Sequence, residues 1–156
     1  MEPTWQSLQR VKVEARPVGL WGLASAYVPG SRLLRFKVIS TDEQGNTVPT
    51  VWSPVKGTNC EADGLISVPA KLGLLSMAAM YGALIGKVGG SSADLPDSSS
   101  PGAPYGNKRV FPVGSYCVIS IGSAEGGPLF LTMNDSPDGF AQHSGTLQVL
   151  IEEHSL

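Results

Sequence analysis

The sequence predicts an all-β fold, an antiparallel jelly-roll-like β-sandwich with one short helix or helical turn, and three observations carry that expectation. Several short runs alternate apolar and polar residues, or are rich in β-branched and aromatic ones, as strands are when successive side chains point to opposite faces. Nineteen Gly and 12 Pro are spread along the chain without a three-residue period, which favours many turns between short elements and excludes collagen. Only 15% of residues are charged against 42% hydrophobic, which suits a globular domain and not a solvated tail.

Val11-Lys12-Val13-Glu14-Ala15 alternates and predicts a first, half-buried strand. After Pro29-Gly30, the run 33–39 is β-branched and aromatic and predicts a second strand, closed by the polar turn 41–46. From 49 to 63, Trp52, prolines, Gly57 and small polar residues show no sustained period, so a structured loop is expected. Residues 70–80 are rich in Leu, Ala and Met and mark the place for the short helix, against which Gly73 counts. The segment 82–90 predicts a buried strand ended by glycines, and 91–107, full of Ser, Pro, Gly and Asp, a flexible surface loop. Strands follow at 116–121, 129–133 and 146–151, with a turn at 122–128. No internal repeat occurs, and a single domain over 1–156 is expected.

A formal net charge of -2, without a basic stripe to neutralise phosphates, argues against nucleic acid as partner. The uncharged run 72–86 is too short for a bilayer helix, which needs about 20 residues, so no membrane span is expected. The start, Met1-Glu2-Pro3-Thr4-Trp5, lacks the basic and apolar regions of a signal peptide. The expectation is a cytoplasmic chain or one exported by a non-classical route. Cys60 and Cys117 belong to no paired-cysteine motif and are expected as buried free thiols.

Enzymatic signatures are weak. His143 and His154 are the only histidines, no Gly-x-Ser-x-Gly elbow presents a serine, and the glycines around Lys87 lack phosphate-loop spacing. Asp63 and Asp135 cannot be placed across a cleft from sequence. A binding module is expected instead, with the loop 134–145 as its site. That loop, Asn134-Asp135-Ser136-Pro137-Asp138-Gly139-Phe140-Ala141-Gln142-His143-Ser144-Gly145, packs oxygen ligands and turn formers between two strands. Such a set can hold a hard cation such as calcium, which takes roughly six to eight oxygens. It is equally the composition of an Asx-type hairpin turn that binds nothing.

Two blocks carry a resemblance. Asp63-Gly64-Leu65-Ile66 is followed by Gly82-Ala83-Leu84-Ile85-Gly86-Lys87-Val88-Gly89, and Phe111-Pro112-Val113-Gly114 leads to Asn134-Asp135 and then Ser144-Gly145 before the last strand. The chain resembles the bacterial galactophilic lectins of the PA-I (LecA-like) type and related galactose-binding-like β-sandwich modules, over roughly residues 11–152. The resemblance implies a calcium ion in the last loop, with Asp135 as carboxylate ligand and Gly139 at the carbonyl position. Gln142 and His143 stand where the family has two asparagines. His143 offers nitrogen, which suits transition metals better than calcium. Asp63 falls at a sugar-contacting glutamine and Cys60 near a sugar-contacting histidine. Trp52 would wall the same pocket or else plug the core.

Two functions are therefore expected as alternatives. One is a carbohydrate-binding lectin, calcium-assisted or with an altered metal requirement, holding galactose or a related sugar through Asp135, Ser136, Gln142, Asp63 and Trp52, with Asp135, Gly139, Gln142 and His143 as metal ligands. The other is a metal-free structural or protein-interaction sandwich whose sugar site has degenerated. Weak sugar sites gain from being presented together, so a homo-oligomer is the expected form.

Overall fold

The computed structural model describes residues 4–65, 71, 73–94 and 109–155. Among these residues ten strands follow in order: β1 Gln6–Glu14, β2 Gly22–Val28, β3 Arg32–Val38, β4 Val51–Val55, β5 Thr58–Glu61, β6 Leu84–Val88, β7 Arg109–Pro112, β8 Tyr116–Ile121, β9 Gly127–Met133 and β10 Thr146–Ser155. A 3₁₀ helix, Pro137–Gln142, sits between the last two.

The alternation read in the sequence sorts side chains between core and solvent. In β10, Leu147, Val149 and Ile151 are buried while Thr146, Gln148 and Leu150 are only partly covered. Leu34 and Phe36 of β3, and Val13 of β1, face the same core. Two antiparallel four-stranded sheets result, ordered β1-β10-β3-β8 and β2-β9-β6-β7, with β4-β5 as a separate hairpin. Leaving that hairpin aside, the pairs nest: β1 with β10, β2 with β9, β3 with β8, β6 with β7. A long hairpin wrapped on itself gives this order, and it is that of a jelly roll. Between the sheets lie Leu84, Val88, Leu129, Leu131 and Met133 from one side and Leu34, Phe36, Val149 and Ile151 from the other. Gly86 is required here, because a Cβ would stand 2.6 Å from the Phe111 ring that crosses it.

Four elements differ from the sequence reading. The helix expected at 70–80 is not formed by described residues 71 and 73–80, which make turns. Gly73 takes φ +78°, and the Asn134 side chain holds the backbone of Ser76, Ala79 and Met80, so helical i to i−4 bonds are replaced by tertiary ones. The helical turn lies at Pro137–Gln142 instead, where proline fixes φ in the first turn. The stretch expected as loop at 49–63 contains the β4-β5 hairpin, and β2 and β7 carried too little alternation to be seen. Strand β6 starts at Leu84, two residues late, because Gly82 takes φ +85°; Gly89 and Gly90, at φ 93° and 77°, end it as expected. Most of the loop expected at 91–107 lies outside the described residues.

A second apolar cluster, Trp21, Leu75, Ile85, Phe130 and Phe140, covers the outer face of β9 and β6. It docks the segment 73–82 and the 3₁₀ helix against the end of β9, where Asn134 and Asp135 follow. Lys87 is fully buried beneath the same layer, with Nζ 2.8 Å from Asp94 Oδ2 and 2.7 Å from the Ser91 carbonyl. Both thiols are free; Cys60 is buried and Cys117 half-buried. Among the described residues no helix is long and apolar enough to cross a membrane.

Candidate functional site

Asn134 and Asp135 extend β9 into the loop and are both fully buried. The Asn134 backbone exchanges bonds with Ala83 and Gly82, while its side-chain amide accepts from Ser76 N at 2.9 Å and donates to Ser76, Ala79 and Met80 carbonyls. One side chain thereby satisfies a loop that has no secondary structure of its own.

The Asp135 carboxylate is held on both oxygens. Oδ1 accepts from Lys71 Nζ at 2.5 Å and from Ser136 N at 2.7 Å, and Oδ2 lies 2.8 Å from His143 Nε2. His143 Nδ1 lies 2.8 Å from the Ala15 carbonyl. Both ring nitrogens thus face oxygens of the protein. Burial pushes the Asp135 carboxyl up, and the bonds from His143, Lys71 and Ser136 outweigh it, holding the group below its ordinary value. Lys71 also stands 4.7 Å over the Tyr81 ring, whose hydroxyl is pushed up by burial and then by Asp135.

The loop's remaining residues close around this pair. Ser136 Oγ donates to Asp138 Oδ1 at 2.6 Å, Phe140 packs on the His143 ring at 4.5 Å, and Ser144 bridges to Ser53 of β4. Gly139 must be glycine, since a Cβ there would meet Asp135 Oδ2 at 2.1 Å. Gly145, at φ +94°, passes 3.1 Å from Trp52 by the same measure.

Of the residues singled out in the sequence, Asp135, Ser136, Gly139 and His143 come together here. Gln142 is exposed at the end of the 3₁₀ helix. Trp52 is buried, and its indole N–H donates to the Gly82 carbonyl at 2.9 Å, so its ring is not presented to solvent. Cys60 reaches the same carbonyl, and burial pushes its thiol up to about 11. Asp63 turns away to Ser115, accepting from its N–H at 2.9 Å and its hydroxyl at 3.0 Å, and so caps the β7-β8 turn. Lys71 was not read as part of the site. Its only mark in the sequence is a cation bordering an uncharged run.

Calcium needs an open shell of oxygens. Here the carboxylate oxygens already face an ammonium and an imidazole, Gln142 is exposed to solvent, and the backbone at Gly139 packs so closely on Oδ2 that a Cβ would not fit. The residues in this arrangement do not fit a calcium ion. Among the described residues there is also no group of three His, Cys, Asp or Glu side chains placed to hold a metal.

Fold and site together define an antiparallel jelly-roll module whose loop 134–145 is locked by a buried ion network. No family model matches the chain. No curated protein matches it either.

Proposed function

We propose that the chain is a metal-independent jelly-roll module with a structural or protein-interaction role, in which loop 134–145 serves as an internal clasp and not as a sugar pocket. One observation carries this reading: Asp135, the residue best suited to bind a cation or a hydroxyl, is fully buried with both oxygens engaged by Lys71 and His143. A carboxylate in that state has no free lone pair directed at solvent, and freeing it would break a buried pair.

A second reading keeps a carbohydrate partner, bound without calcium at the rim. It is favoured by Lys71, whose side chain is 35% exposed where it meets Asp135, and by Asp138 and Gln142, exposed in the same loop as Asp135. Donors of this kind can meet sugar hydroxyls with Asp135 left in place.

Calorimetric titration of galactosides, with calcium and after chelation, tests both, together with a thermal melt in each condition. The metal-independent reading expects the same melting temperature with calcium and with chelator, and no galactoside heat. Galactoside binding that survives chelation would favour the rim. Binding that requires calcium, with a melt raised by several degrees, would overturn the proposal.

A further inference from the structure

The turn between β3 and β4 is built by its own side chains. In Thr41-Asp42-Glu43-Gln44-Gly45-Asn46-Thr47 the two threonines bridge, Asp42 Oδ1 accepts from Gln44 N at 3.0 Å and Asn46 N at 2.8 Å, and Gly45 takes φ +81°. This fixes the turn as a wall beside the outer face of the sheet β1-β10-β3-β8. Arg10 of β1 reaches it, with Nε 2.9 Å from Glu43 Oε1. On β10, Leu147 and Val149 turn into the core, so Gln148 stands on the outer face opposite Lys12 of β1.

Between these elements lies a cleft of about 240 Å³, lined by Arg10, Asp42, Glu43, Gln44 and Gln148. All five side chains end in a planar group with at least two polar atoms: a guanidinium, two carboxylates and two carboxamides. The side-chain amides of Gln44 and Gln148 bond no described residue, Asp42 Oδ2 has Asn46 Nδ2 at 3.4 Å, and Glu43 is 65% exposed. Unused donors and acceptors therefore line one space. Arg10 offsets one carboxylate and Lys12, exposed opposite Gln148, the other, so net charge draws in neither an anion nor a cation. A divalent cation lacks an oxygen shell here, since Asp42 Oδ1 is taken by two N–H groups and Glu43 by a guanidinium. No apolar residue lines the cleft, so an apolar ligand has no surface to bury.

We infer that this cleft binds a neutral saccharide through pairs of vicinal hydroxyls. A hydroxyl both donates and accepts, so two neighbouring ones answer a carboxylate with donors, a guanidinium with acceptors and a carboxamide with one of each. The volume lies below the roughly 300–1,000 Å³ of drug-sized sites, which suits one sugar ring with the rest of a glycan in solvent. Without an aromatic face to stack on, a Kd in the millimolar range is expected, too weak to register in the calorimetric titration of galactosides. The cleft shares no residue with loop 134–145, so it goes beyond the clasp and stands or falls apart from it.

Titration of the isotope-labelled full chain with methyl glucoside and methyl mannoside, read by amide correlation spectra, tests this. Between them the two probes offer trans and cis vicinal pairs, and cyclohexanol, with a single hydroxyl, is the control. At least one glycoside should shift the amides of Glu43, Gln44 and Gln148 saturably, at concentrations where cyclohexanol does not. Gln44→Ala and Gln148→Ala should each weaken binding by about fivefold or more, with the same spectra reporting the fold. Gln44 is exposed on the turn, so its variant remains decisive if Gln148→Ala disturbs β10. Shifts centred on Asp138 and Gln142 would move the sugar to the rim of the clasp and overturn the inference. No saturable shift with either glycoside, equal shifts with cyclohexanol, or binding unchanged in the variants would overturn it as well.

Discussion

His143 Nε2 lies 2.8 Å from Asp135 Oδ2, and neither side chain is exposed to solvent. Through its other nitrogen the ring reaches the Ala15 carbonyl at 2.8 Å, so one histidine ties the end of β1 to the loop before β10. Replacing it with alanine leaves a buried carboxylate without one of its partners. His143→Ala is expected to destabilise the fold by about 3–5 kcal/mol, read from the urea midpoint. A change below about 1 kcal/mol would mean that Lys71 and Ser136 suffice for Asp135.

Gly139→Ala tests the clasp from its other side. The added methyl would stand 2.1 Å from Asp135 Oδ2, so either the 3₁₀ helix or the carboxylate must move. The expected loss is about 3 kcal/mol. Alanine tolerated without loss would show that the loop has slack.

Asn134→Ala removes the acceptor for Ser76 N and the donor for three carbonyls at once. Losses of about 1–3 kcal/mol per stranded group are moderated by water reaching the outer carbonyls, giving about 3 kcal/mol in all. Hydrogen exchange should quicken at Ser76 and Ala78 before the core strands respond. Uniform quickening of all strands would contradict this local role.

Acid should weaken the fold in a defined window. Burial pushes Asp94 up, but the bonds from Lys87 and Ser91 prevail and hold its carboxyl well below the usual range; Glu152 is likewise lowered by Lys37 and Arg35 against its burial. A depressed carboxyl contributes stability that is present above its unfolded value and is lost as pH falls through the folded one. Unfolding free energy should therefore be flat from neutrality to about pH 5 and fall below about pH 4. Asp94→Asn should be less stable at pH 7 and show a shallower acid limb. An acid limb as steep as that of the wild type would remove Asp94 from this account.

The strands with clean patterns were legible in the sequence. β8 falls on its predicted bounds, and β3 and β10 lie within a few residues of theirs, because alternation there matches a face buried against one facing water, whereas β9, buried on both faces, was legible as a short apolar run. β2 was not, since exposed Leu23 and Tyr27 invert its pattern. The helix-forming composition of 73–80 was overridden by Asn134, 54 to 58 residues farther along the chain and unreadable as a cap from local sequence.

Loop 134–145 was legible as a concentration of polar groups between two strands, and its residues do converge. Composition, alternation and turn residues determined an all-β chain and where its last loop would fall, because those signals are local. Whether Asp135 faces solvent or a lysine was decided by tertiary structure alone. Lys71, Ala15 and His143 are distant in the chain, and only the jelly-roll wrapping brings their charges and dipoles within 3 Å of a buried carboxylate or its histidine.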